Sequence, residues 1–377
     1  MKYLSSSLLF LLLIAACQEK NSLPQDTPTV IDAKAATNSI ITKYARGFKL
    51  TVIKDGYQLD IINPWPGADK TYSYKLKTNA KGIDEIQIPV TSIVATSTTH
   101  IPPLTLLGVE KSLVGFPSTD YISSPSVRDL IDAGNVEELG KNGEINLERT
   151  IQLQPNLVMG YGVEGGSTSQ EKLKAARIPV LYNGDWTESH PLGKAEWIKL
   201  YGVLYDKSQE ADSIFNEIEL RYLNLKNQVK QLKKPRVIAG ATYKDVWYLP
   251  YGNSWQGKVL ADAGGNYVYS TTSGNGSLSY ELETVLNSAS EADYWIAPGQ
   301  YTTYNKMLQD NRAYEKFKAF KDKQVYTFAK TVGAKGGVTY YEEAAMRPDL
   351  VLADLIKILH PSFSMDHELY FFKPLDE

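Results

Sequence analysis

From Ala195 to Lys234 the chain runs forty residues with no proline and a single glycine, Gly202. In the second half of that stretch Ile214, Ile218, Leu225, Val229 and Leu232 recur at helical spacing. Lys233-Lys234-Pro235 then supplies a basic last turn and a stop. The pattern predicts one long helix over 207–234 and divides the chain into halves of similar grammar. Upstream lie short apolar runs, Pro89–Ala95, Leu113–Phe116, Pro155–Met159 and Ile178–Tyr182. They are separated by helical stretches after Pro102-Pro103, from Asn146 and over Ser169–Ala176. Downstream come Arg236–Gly240, Tyr294–Ala297 and Gln324–Phe328, with helices expected over Trp255–Ala263, Leu282–Leu286, Tyr314–Phe320 and Pro348–Leu359. Strands alternating with helices at this spacing form βαβ units and parallel sheets. The expected fold is α/β, with two Rossmann-like lobes on central parallel sheets, joined by the long helix, and a ligand cleft between them.

Composition narrows the partners. The 377 residues carry 40 basic and 43 acidic side chains, a net charge of −3, a balance that gives no electrostatic reason to expect a nucleic-acid partner. A hydrophobic content of 43% is enough for a substantial core. Tyrosine is abundant, 25 against 10 phenylalanines, which fits both strand material and half-wet gripping surfaces. The one cysteine, Cys17, cannot close an intramolecular disulfide. It follows Met1-Lys2 and an apolar run from Leu8 to Ala16, too short to cross a bilayer as a helix, which needs ~20 residues. Leu13-Ile14-Ala15-Ala16-Cys17 resembles a bacterial lipobox, in which the cysteine is lipidated and becomes the first mature residue. The expected organisation is a signal peptide over 1–16 and a flexible tether over 17–40, containing Pro24 and Pro28. An N-terminal β-hairpin extension over 41–80 follows, with Asp55-Gly56 as its turn. A first lobe over 81–206, the bridging helix over 207–234 and a second lobe over 235–377 complete it. The protein would be exported and lipid-anchored, on the periplasmic face or the outer membrane.

Reactive motifs are sparse. Gly160-Tyr161-Gly162-Val163-Glu164-Gly165 matches Gly-x-Gly-x-x-Gly, with Asp185 twenty residues on. The extra Gly166-Ser167-Thr168 and an exported location argue against a dinucleotide, and the segment reads as a flexible loop at the carboxyl end of a strand, where ligands of open α/β sheets sit. A competing reading is an exported α/β enzyme using this loop and a carboxylate. The four histidines lack metal-binding spacing, so a four-ligand zinc or manganese site is disfavoured. His190, His360 and His367 read as structural; His100, just past the first core strand beside Thr98 and Thr99, is placed to face a ligand. Glu342-Glu343 and Glu281/Glu283 read as solvated helix faces rather than acid–base pairs. Of the aromatic residues Tyr161, Tyr182, Trp186, Tyr243, Trp247, Trp255, Trp295, Tyr301, Tyr340 and Tyr341, most follow or end expected strands. As a set they suit a large, partly apolar ligand.

The lipobox, two α/β lobes and long linking helix together resemble the class III substrate-binding proteins of ABC importers. That family serves ferric siderophores, haem and cobalamin. The specific segments are Asn146-Leu147-Glu148-Arg149 through Gln154-Pro155-Asn156-Leu157-Val158, the run from Trp186 to Trp197, and Arg347-Pro348-Asp349-Leu350-Val351 with His360-Pro361. The likeness spans about Ile88 to Pro361, and the Phe48–Leu76 hairpins look like the N-terminal extension of Bacteroidetes-type members. It implies a metal chelate as ligand, no catalysis and no resident cofactor, and as partners an ABC permease dimer with its ATPase. It also implies one docking glutamate per lobe, Glu148 by motif and Glu283 by Glu-x-Val-Leu, with Glu281 two residues away as an alternative. Basic residues suited to an anionic siderophore, such as Arg128, Lys194, Lys335 and Arg347, are scattered. The aromatic richness leans towards cobalamin or haem, with His100 as a possible axial ligand.

Overall fold

A computed structural model describes residues 39–68, 70–82, 85–140, 145–161 and 168–377, with backbone only at 161 and 168–170. Cys17, the segment expected as a signal peptide, most of the expected tether and the Gly162–Gly165 part of the glycine loop lie outside the described residues.

The first strands are β1 (Ser39–Ile40), β2 (Phe48–Ile53), β3 (Gly56–Ile61), β4 (Tyr72–Lys77) and β5 (Glu85–Gln87). They form one sheet in sequential order, antiparallel until the β4/β5 pair. The Asp55-Gly56 turn closes the β2/β3 hairpin, with both residues at positive φ, 62° and 148°. Alternate residues Phe48, Leu50, Leu59, Ile61 and Leu76 are buried, as a one-sided sheet requires.

The next five strands are β6 (Ile93–Ala95), β7 (Leu113–Phe116), β8 (Glu137–Glu138), β9 (Leu157–Tyr161) and β10 (Val180–Asn183). They form an all-parallel sheet in the order β10-β9-β6-β7-β8. The chain steps to one side of β6 and then to the other, so β6/β9 is a topological switch point.

The C-terminal half contains β11 (Arg236–Ala239), β12 (Ala241–Tyr243), β13 (Val246–Pro250), β14 (Asn266–Tyr267), β15 (Ser277–Glu281), β16 (Tyr294–Ile296), β17 (Val325–Thr327) and β18 (Lys373–Pro374). Its main sheet runs β14-β11-β16-β17-β18, parallel except for the last pair, and switches at β11/β16. A second, antiparallel sheet β12-β13-β15 stands beside it.

Between β10 and β11 lie three helices, Pro191–Glu196, Ile198–Leu204 and Ser208–Val229. The long one buries Ala211, Phe215, Ile218, Tyr222 and Val229, a stripe three to four residues apart. It packs on Ile198–Leu204 and on the closing helix Pro348–Leu359, which is buried almost all round. It stops at Val229, short of the expected Lys234, because Lys230 and Leu232 turn into bonds three residues back, to Asn227 O and Val229 O. Among the described residues no helix is long and apolar enough to cross a membrane.

Candidate functional site

The carboxyl ends of β11 and β16 open onto a cavity of about 600 Å3. Ala239, Gly240, Ile296 and Ala297 form its floor, at the switch point of the C-terminal sheet. Gly240 sits at φ 80°, where a Cβ would meet Tyr248 O at 1.9 Å, so only glycine lets the floor strand pass under β13. Two indoles brace that floor from below. Trp247 Nε1 donates to Ala239 O at 3.0 Å and Trp295 Nε1 to Gly240 O at 2.7 Å, with the rings stacked 5.0 Å apart.

Phenols and amides rim the cavity. Tyr243 and Tyr248 project from β12 and β13, Tyr301 from the loop after β16, and Tyr340 and Tyr341 from the helix Thr339–Glu343. Gln300 Nε2 donates to Tyr341 Oη at 2.5 Å. Burial raises the pKa of Tyr301 and Tyr340 well above the usual phenol value, helped at Tyr301 by Tyr314 and Asp310. These hydroxyls therefore stay protonated at neutral pH and act as donors. Among the described residues no histidine lines the cavity, and the two charged ones that do, Lys306 and Asp310, pair with each other at 2.7 Å. The lining is neutral, aromatic and hydroxyl-bearing, suited to holding a ligand face.

A second cavity of about 580 Å3 adjoins it, with Gln256 in the wall of both. Trp186 and Trp255 face this one, with Trp65 of the N-terminal sheet. Trp255 lies 6.2 Å from Tyr340 at 23°, and Tyr340 stacks on Phe328 at 4.5 Å. Beneath, Lys194 is buried with its Nζ 5.6 Å from the Trp255 ring, donating to Asp185 O at 2.9 Å. Burial lowers the Lys194 pKa and raises that of Asp185, each opposed by the charge of the other.

The aromatic set predicted from sequence thus divides. Tyr243, Tyr301, Tyr340 and Tyr341 meet in the first cavity, and Trp186 and Trp255 in the second. The Tyr161 side chain lies outside the described residues. Several expectations need correction. Trp247 and Trp295 are fully buried supports: β13 alternates, so Trp247 points inward and its neighbour Tyr248 faces the cavity. Tyr182 is buried against Trp65 and Tyr72, 5.5 and 4.7 Å away edge-on, where it seals the N-terminal sheet to the first lobe. His100 has no exposed surface, and neither ring nitrogen has a partner among the described residues; burial takes its pKa down to about 3. It faces the protein interior, not a ligand. Thr98 and Thr99 are half-buried under the helix Thr339–Glu343 and line neither cavity, and Thr99 bonds the Asp185 carboxylate.

Glu342 is no solvated acid either. Its carboxylate accepts from Ser123 N at 2.6 Å and Ser124 N at 2.9 Å, across the two lobes. Of the scattered basic residues, Arg128 is buried and donates to Thr119 O at 2.7 Å, and Arg347 forks onto Asp349 at 2.9 and 2.8 Å. His190 caps a helix through Leu192 N, His360 binds Ala263 O at 2.9 Å and His367 binds Asp354 at 2.5 Å. Among the described residues no group of three or more His, Cys, Asp or Glu could hold a metal ion. Glu148 and Glu283 are exposed, each the second residue of its helix, Leu147–Leu153 and Leu282–Ala289.

Two parallel-sheet lobes linked through helices, with a cavity at a strand-end switch point, match the class III architecture of solute-binding proteins. The chain belongs to the periplasmic binding protein family, whose model matches residues 93–332. It is 25% identical over 364 residues to an uncharacterized lipoprotein of Methanocaldococcus jannaschii, covering 88% of this chain and 84% of that one. It is 29% identical over 141 residues to a vitamin B12-binding protein of Vibrio parahaemolyticus, covering 37% of this chain and 50% of that protein. Among solved structures, a periplasmic haem-binding protein of Pseudomonas aeruginosa superposes with a TM-score of 0.57 at 15% identity, covering 76% of this chain and 99% of that one.

Proposed function

We propose that the protein captures a metal chelate in the cavity at the β11/β16 switch point and hands it to an ABC permease dimer driven by its ATPase, without transforming it. The observation that carries this reading is the lining: five tyrosines, Tyr243, Tyr248, Tyr301, Tyr340 and Tyr341, and among the described residues no unpaired charge. Such a wall offers flat apolar faces and neutral donors, which match a macrocycle such as haem or cobalamin better than a polyanionic siderophore. The vitamin B12- and haem-binding relatives point the same way. In this reading Cys17 carries a lipid anchor, and Glu148 and Glu283 dock onto basic residues of the permease. Two exposed carboxylates on separate helices would set register and steer the encounter.

Purified protein incubated with cyanocobalamin, iron protoporphyrin and ferric siderophores should show ligand-dependent melting shifts with the ligand recovered unchanged. Product formation, or no shift with any chelate, contradicts the proposal. A Glu148→Ala, Glu283→Ala double variant should lose uptake in cells while keeping chelate affinity; a parallel loss of affinity would contradict the docking role.

A further inference from the structure

The second cavity is walled by three separate parts of the chain. Arg46, Gly47 and residues 62–68 come from the N-terminal sheet, 186–189 follow β10, and 253–256 with 274–276 belong to the C-terminal half. The first wall lies upstream of the region that the family model matches, 93–332, so the cavity exists only because this chain carries its extra sheet.

That wall is fixed firmly. Glu196, fully buried, accepts from the backbone N–H groups of Lys43, Tyr44 and Ala45 at 2.8, 2.7 and 2.9 Å. Glu188 accepts from Arg46 N at 2.7 Å, Gly47 N at 2.8 Å and Trp197 Nε1 at 3.0 Å. Its charge is thus engaged three times before any ligand arrives, and among the described residues it is the one acid lining the cavity. The one cation lining it among the described residues is less committed: no carboxylate of the described residues lies within 4 Å of the Arg46 guanidinium. Trp186 leaves 40% of its surface open on a short 3-10 turn, while Trp255 is held rigid between Tyr340 and Lys194. A guanidinium free to fork, open indole faces and the amides of Asn253, Gln256 and Asn275 together recognise a carboxylate or phosphate attached to a larger body.

We propose that this cavity receives an anionic arm of the chelate whose core occupies the first cavity, with the ligand crossing at Gln256 and Arg46 reading the charge. The inference rests on the proposed function and adds the class of ligand: a chelate bearing a carboxylate or phosphate appendage.

Titrations of the full mature chain with two matched pairs test it: iron protoporphyrin against its dimethyl ester, and a cobalamin monocarboxylate against cyanocobalamin. In at least one pair the wild type should bind the acid about tenfold more tightly, and Arg46→Gln should erase that preference while leaving affinity for the neutral partner unchanged. Arg46→Lys should restore part of it. Because the Arg46 side chain has no carboxylate partner, the variants should melt as the wild type does. Equal affinities within both pairs, or a preference that survives Arg46→Gln, overturn this inference and leave the capture reading standing. Failure of every probe and of every ferric siderophore to bind overturns both.

Discussion

Glu342 sits where the two lobes touch, and its environment makes their contact sensitive to pH. Burial lifts its carboxyl from 4.5 to about 7, assisted by the neighbouring Glu343, while the bonds from Ser123 and Ser124 oppose the rise. A folded-state pKa above the unfolded one means the native state holds the proton more tightly. Its contribution to stability is therefore full below about 4.5 and is lost as pH rises through about 7. The shift corresponds to roughly 3 kcal/mol. Denaturant melts of wild type and Glu342→Gln across pH 4–8 should differ in slope, the wild type losing that stability and the variant not; parallel curves would contradict the assignment. His100 makes the opposite case. With its pKa taken down to about 3 and neither nitrogen partnered among the described residues, it is neutral at pH 7, and its polar atoms cost about 1–3 kcal/mol left unbonded. His100→Leu should keep or raise the melting temperature and leave chelate affinity unchanged; a fall in affinity would restore it as a ligand residue. Sequence position suggested otherwise, since His100 does follow the first core strand, but a residue's place after a strand does not say whether it turns inward.

At the scale of elements, the strength of local signals decides what was legible. The β2/β3 hairpin announces itself through Asp55-Gly56 and alternation. The β12/β13 hairpin does not, because its turn residues, Lys244 and Asp245, hold φ of 49° and 66° without a glycine to mark them. Missing that hairpin hid the parity that sends Trp247 inward and Tyr248 into the cavity. The pairing of β13 with β15 spans a separate helix and strand, so no short window contains it. The attachment of the N-terminal sheet was equally hidden. Glu188 and Glu196 lie in the Trp186–Trp197 run that resembles the family, yet their partners are backbone groups about 140–150 positions upstream. Replacing Glu196 by alanine strips the acceptor from three N–H groups and should cost roughly 3 kcal/mol or more. Amide exchange should accelerate at 43–45 before the parallel sheets open. Unchanged protection there would mean that the segment is held without Glu196, by the Glu188 bonds to Arg46 and Gly47 and the Trp65–Tyr72–Tyr182 seam.

For the whole molecule, strand–helix alternation on both sides of the long helix was enough to foresee two parallel-sheet lobes, because βαβ units carry their topology in local order. The residues of the cavity were only partly legible: Tyr243, Tyr301, Tyr340 and Tyr341 stood out in sequence as members of the aromatic set. That Trp186 and Trp255 serve a separate space could not be foreseen, since one wall of it comes from the N-terminal sheet. Capture of a chelate requires that the first cavity be the place where it is held. The direct test is a calorimetric titration of cyanocobalamin and iron protoporphyrin into wild type and a Tyr243→Ala, Tyr341→Ala double variant, two largely exposed rings whose loss leaves the core intact. The account predicts a Kd near or below about 1 μM for at least one chelate, weakened tenfold or more in the double variant with its melting temperature preserved. Undiminished affinity in that variant would place the ligand elsewhere and contradict the account.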